Sequence, residues 1–214
     1  MNSTVDTLLD RYGRTYSAEL GIRLADNTPA PLFQWLCAGL LLSARISSDI
    51  AMNAAGALKD AGWTTARKMA DSTWEERVRA LNHAGYARYD ESTARMLGDT
   101  VEHLIEAYDG DLRRLREAAG KDPGSERQRL KACKGIGDVG VDILFRELQA
   151  VWPELYPFAD RKALEAAERL DLPGEADTLS RLVDRKDFPR LVAALVRAAQ
   201  AKSLDAVAEA AAAG

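Results

Sequence analysis

The segment Leu130-Lys131-Ala132-Cys133-Lys134-Gly135-Ile136-Gly137-Asp138-Val139-Gly140-Val141-Asp142-Ile143 has the residue types of a phosphate-binding turn. A helix stops, a Gly-x-Gly turn follows, and a second helix begins. Two glycines around an apolar residue let the backbone adopt φ > 0 and approach another surface closely. Ile136 can anchor such a turn in the core between its helices. The N–H groups of the turn then point outward beside a helix N-terminus, which holds a phosphate oxygen without a side chain. The preceding stretch supplies Arg127, Arg129, Lys131 and Lys134 against Glu126 alone, the densest basic run in the chain. The same spacing also suits an ordinary helix–loop–helix turn with glycine caps. Asp138 weighs against a phosphate, unless it caps the second helix and turns away.

Asp160 is the second candidate. It stands before Arg161-Lys162-Ala163-Leu164, where an Asp is a favoured helix N-cap. A carboxylate there can also orient and deprotonate a water, and both roles can hold at once. Arg161 and Lys162 can grip phosphates or form the solvent face of a helix. Arg45 follows an apolar helix and can stack and hydrogen-bond as a guanidinium; it can equally be a solvated residue. Trp35, Trp63, Trp152, Tyr86, Tyr89 and Tyr156 are flat rings able to stack, with Trp35 better suited to the core.

Helices must position these groups. Apolar residues recur at helical spacing and no alternating run exceeds a few residues, so the expected fold is all-α. Expected helices run over Val5–Leu20, Leu32–Ala44, Ser47–Ala61, Thr64–Ala70, a segment capped by Ser72 with Glu75 completing a capping box, Tyr89–Tyr108 and Leu112–Ala119. Glu126–Cys133 and Val139–Val151 flank the turn. Pro153–Phe158 reads as extended, and Arg161–Leu170, Glu175–Val183 and Phe188–Lys202 close the chain, with an Ala-rich tail after Ser203 as a frayed helix. Asp26 to Pro31 and Pro173-Gly174 read as breaks. P-loop and dinucleotide fingerprints are absent.

Composition narrows the function classes. With 214 residues and 47% hydrophobic content the chain can bury a real core. Net charge is −4, so a DNA-binding face must be local rather than global. No apolar run approaches the roughly 20 residues that span a bilayer, so a cytoplasmic protein with no membrane partner is expected, as a monomer. The two cysteines, Cys37 and Cys133, sit in apolar patterns and read as core; with two scattered histidines, no metal site is expected.

The hairpin segment resembles the helix-hairpin-helix of the endonuclease III superfamily of DNA base-excision glycosylases (HhH-GPD), written L-P-G-V-G-x-x-T-A. Leu40-Leu41-Leu42-Ser43-Ala44-Arg45 is similar to that family's L-L-S-A-Q helix end and inserting loop. Gly85-Tyr86-Ala87-Arg88-Tyr89 is similar to its G-x-Y turn, and Phe158-Ala159-Asp160 stands where its catalytic Asp opens a helix. The matches occur in the family's order between Leu32 and Leu172.

The resemblance implies a two-lobed fold. Residues 29–148 would be a bundle ending in the hairpin (about 126–146), and residues 1–28 with 149–214 a second lobe carrying Asp160. It implies a lesion-bearing duplex as partner, contacted by Lys131, Lys134, Gly135, Ile136, Gly137, Val139, Gly140, Arg45, Arg161 and Lys162. Departures from the pattern define the expected chemistry. Val139 stands where bifunctional members carry a Schiff-base lysine, and a valine forms no imine. Leu40 stands near the glutamate of adenine-excising members. No cysteine follows Cys133, so no iron–sulfur cluster or other cofactor is expected. A monofunctional glycosylase relying on Asp160 is the result. The alternative is a helix-hairpin-helix DNA-binding protein that has lost the chemistry.

Overall fold

A computed structural model describes residues 3–213, and no strand occurs among them. The chain is all-α. Helices α1 (Ser3–Tyr12), α2 (Tyr16–Glu19), α3 (Pro29–Leu42), α4 (Ser48–Asp60), α5 (Ala66–Ala70), α6 (Trp74–His83) and α7 (Asp90–Tyr108) make up the first half. They are followed by α8 (Leu112–Ala118), α9 (Pro123–Lys131), α10 (Asp138–Leu148), α11 (Arg161–Glu168), α12 (Ala176–Ser180), α13 (Phe188–Gln200) and α14 (Leu204–Ala212). Among the described residues no helix is long and apolar enough to cross a membrane.

Local chemistry accounts for the departures from expectation. The expected first helix is two, because the chain breaks at Gly13, a poor helix former, and restarts where the Glu147 carboxylate accepts the Tyr16 and Ser17 N–H groups. Pro29 does not break the chain; it opens α3 behind the N-cap Thr28. Proline lacks only an N–H that the first turn leaves unpaired anyway. The capping box lies one residue later than expected. Thr73 Oγ1 accepts the Glu76 N–H at 3.2 Å, and Glu76 accepts the Thr73 N–H at 2.8 Å. Ser72 instead donates to the Met69 carbonyl and accepts from Arg77. The tail after Ser203 forms α14, whose Leu204 and Val207 are buried.

The chain divides into two compact units, one running from Leu20 to Leu144 and the other combining the residues up to Glu19 with those from Phe145 onward. The boundary falls within α10. In the second of these units α1 packs on α13 and α14, and α11 on α13. Their apolar stripes close a core of Val5, Leu8, Ala163, Ala167, Phe188 and Leu195. The 20–144 unit is built around α3, which is apolar all round and buried accordingly. Bare Gly39 lets α10 come close: a Cβ there would lie 2.7 Å from Leu144 Cδ2. Trp35 seals the contact by donating its indole N–H to the Leu144 carbonyl at 3.2 Å.

Candidate functional site

The turn between α9 and α10 is held at three points within the 20–144 unit. Gly135 has φ +87°, and a Cβ on it would meet Met96 Sδ at 2.8 Å and Leu40 Cδ1 at 3.3 Å. Glycine is therefore required twice over, for conformation and for space. Ile136 is buried, as expected of an anchor. Thr100 donates its hydroxyl to the Lys134 carbonyl at 2.9 Å. Gly137 differs from the expectation for it. Its φ is not positive, and nothing lies within 4 Å of where a Cβ would stand. Its open side lies on the outside of the turn. The helical ladder resumes only at the Val141 N–H, which donates to the Gly137 carbonyl. The N–H groups just before it belong to the unladdered first turn of α10. Gly137, Asp138 and Val139 are exposed there. Val139, 49% exposed, is the large hydrophobic residue that stands out on the surface, while Gly140 packs inward against Ile136.

The basic run is largely matched from within. Lys131 Nζ donates to both Asp138 oxygens at 2.8 Å, and Arg127 pairs with Asp142 at 2.7 Å. Arg129 donates to the Tyr108 hydroxyl. Asp138 thus turns toward α9 rather than away from the turn, and its carboxyl is held below the usual range chiefly by Lys131. Lys134 is exposed and, like Arg129, makes no ion pair among the described residues.

Arg45 is brought beside the hairpin. It lines a cavity of about 330 Å³ together with Leu40, Tyr86, Tyr89, Met96 and Gly135. Of the candidate aromatic residues, Trp35, Trp152 and Tyr86 are buried, which leaves the half-buried Tyr89 as the ring available to this cavity. A larger cavity of about 650 Å³ by Trp74, Arg77 and Glu102 holds none of the predicted site residues. Cys37 and Cys133 are core residues, with burial pushing the Cys133 thiol up to about 12. Among the described residues no cluster of His, Cys, Asp and Glu could hold a metal.

Asp160 lies in the other unit, buried, at the N-cap of α11. Its Oδ1 accepts the Ala163 N–H at 3.0 Å. Its Oδ2 accepts two bonds from Arg146, one from Nε at 2.8 Å and one from Nη2. The cap reading is therefore realised, and a buried counter-ion is added to it. Gln149 holds the approach to Asp160: its amide accepts from the Phe158 N–H and donates to the Phe158 carbonyl. Glu147, fully buried, caps α2, and burial pushes its carboxyl up against the pull of the Ser17 and Tyr16 N–H groups. Arg161 is exposed and tied to Glu165 at 2.6 Å, and Lys162 is exposed beside it on α11.

Arg146, Glu147 and Gln149 were missed in the sequence. The signal was there: polar residues inside the apolar run 143–152 must find buried partners.

No protein-family model and no curated protein sequence matches the chain. Among solved structures it is similar to a trapped endonuclease III–DNA covalent intermediate, an estranged-adenine complex. The identity is 16%, over 85% of this chain and 82% of that one, with a TM-score of 0.49. A likeness of that size carries no weight for chemistry or partners. The class that stands is an all-α protein of two helical units with a glycine-hinged hairpin in one and a buried, paired aspartate in the other.

Proposed function

We propose that this chain binds duplex DNA through the hairpin between α9 and α10 and acts on it as a monofunctional base-excision glycosylase with Asp160 as its carboxylate. The observation that carries the reading is the hairpin's form. A buried Ile136 and a packed Gly135 fix a turn whose unladdered N–H groups lie beside exposed Gly137 and unpaired Lys134. Such a surface accepts a phosphate oxygen from backbone donors. The ordered family-like motifs supply the rest of the reading. A target base leaves the stack before its sugar can be reached. Departure of the base builds positive charge on the sugar, which a carboxylate stabilises while water attacks. With Val139 in the lysine place the chain offers no amine there, so water is the nucleophile.

One observation favours a second reading, DNA binding without excision. A carboxylate already matched by a buried guanidinium has less net charge to offer a cationic sugar.

Base release from duplexes carrying alkylated bases, uracil, oxidised pyrimidines or mispaired adenine separates the two. The chain and Asp160→Asn are run side by side, with and without hot alkali. Alkali-dependent cleavage by the parent chain alone supports the glycosylase. Salt-sensitive binding with no release supports the second reading. Absence of binding to every duplex overturns both.

A further inference from the structure

Asp138 opens α10 beside the N–H groups that a phosphate would approach, and its side chain is 66% exposed. Its charge is already answered. Lys131 Nζ sits 2.8 Å from both carboxylate oxygens, and Arg127 Nη1 lies 3.7 Å from Oδ1 while its Nη2 holds Asp142. The hairpin thus carries an anion of its own at the place where an external anion would come. Lys131 can serve Asp138 or a phosphate, and a phosphate arriving at Gly137 meets a fixed negative charge one residue away.

We propose that Asp138 is an intramolecular stand-in for a DNA phosphate, which occupies Lys131 and keeps the hairpin's affinity for undamaged duplex low. The inference rests on the hairpin reading above and adds a residue that limits affinity. Its chemical sense is release. Backbone attraction is independent of sequence and lesion, so weakening it lowers binding to every site alike. The difference of affinities between a lesion and ordinary duplex is unchanged, while the chain is held less tightly on the undamaged sites that outnumber lesions.

The test is binding of the full chain to an undamaged duplex, followed by fluorescence anisotropy between roughly 50 and 200 mM salt. Asp138→Asn should bind about tenfold tighter at the low end. Its log K should fall more steeply with log salt by about one unit, the mark of roughly one more neutralised phosphate. Asp205→Asn, an exposed carboxylate on α14, makes the same change in net charge and should leave binding unaltered. Adding Lys131→Gln to Asp138→Asn should abolish the gain. Equal tightening by Asp205→Asn, or a gain that survives Lys131→Gln, overturns the proposal. Lys134→Ala separates the two levels. If it weakens binding and Asp138→Asn still brings no gain, the stand-in role alone fails. If it leaves binding unchanged, the hairpin reading fails with it.

Discussion

Arg146 grips a single oxygen of Asp160, Oδ2, with both Nε and Nη2, and leaves Oδ1 to the Ala163 N–H. Both side chains are more than nine-tenths buried. Removing one partner strands the other charge, which typically costs about 3–5 kcal/mol. Arg146→Ala should therefore lower stability by that order in urea unfolding. The joint change Arg146→Met with Asp160→Leu should lose far less, because neither charge is then left alone. A joint loss equal to the sum of the losses for Arg146→Met and Asp160→Leu made singly would mean that the pair is not coupled.

The two turn glycines should behave oppositely. Gly135→Ala forces a side chain into a left-handed conformation against Met96, and a loss of more than about 1 kcal/mol is expected. Gly137→Ala meets open space, so its melting temperature should match the parent. Its methyl would nonetheless stand on the face that a phosphate approaches, and duplex affinity should fall. A Gly137→Ala chain that is as stable as the parent and binds as well would remove Gly137 from the contact surface.

Glu147 makes stability depend on pH in a direction opposite to that of an ordinary salt-bridged acid. Burial raises its carboxyl above the usual value, so the folded state holds a proton that the unfolded chain has lost. Its contribution is complete below the ordinary carboxylate range and declines as pH rises toward the raised value. Relative to Glu147→Gln, the parent should lose stability between about pH 4.3 and neutrality. Urea midpoints in steps of pH test this, and parallel profiles for the two chains would refute it.

Thr73→Ala should cost about 1 kcal/mol, the usual worth of an N-cap side chain, because its hydroxyl accepts the Glu76 N–H. Thermal melts of this chain and of Glu76→Gln, which keeps an acceptor for the Thr73 N–H, distinguish loss of the cap from loss of charge.

Val139→Lys asks whether the exposed first turn of α10 faces a sugar. If it does, the new amine should condense with the open aldehyde of an abasic site, releasing water. Borohydride would then reduce the imine to a stable covalent adduct, visible as a shifted band. A chain that binds abasic duplex but cannot be trapped would place Val139 away from the sugar.

Much of this arrangement was legible in the residues. The helices, the turn at Gly135 and the buried anchor at Ile136 follow from apolar spacing and from glycine. What escaped was pairing across elements. Arg127 and Lys131 read as a free basic face because their partners, Asp142 and Asp138, meet them only once α9 and α10 fold back on each other. Arg146 was hidden in an apolar run, although a buried Asp needs a counter-charge from somewhere. The capping box slipped by one residue because Ser72-Thr73 and Glu75-Glu76 offer the same pattern in two registers.

Gln149 bridges the two ends of the connection between α10 and α11. Its side-chain amide stands to Phe158 as one peptide group stands to another, giving and taking a hydrogen bond, and it also donates to the Arg146 carbonyl. Gln149 in effect stitches the loop from α10 to α11, a covalent chain on one side and a detachable seam on the other. Undoing the seam lengthens the free tether that leads into α11. Gln149→Ala would thereby slacken a carboxylate two residues beyond the stitch, leaving its ion pair to hold without the frame that brings it into place.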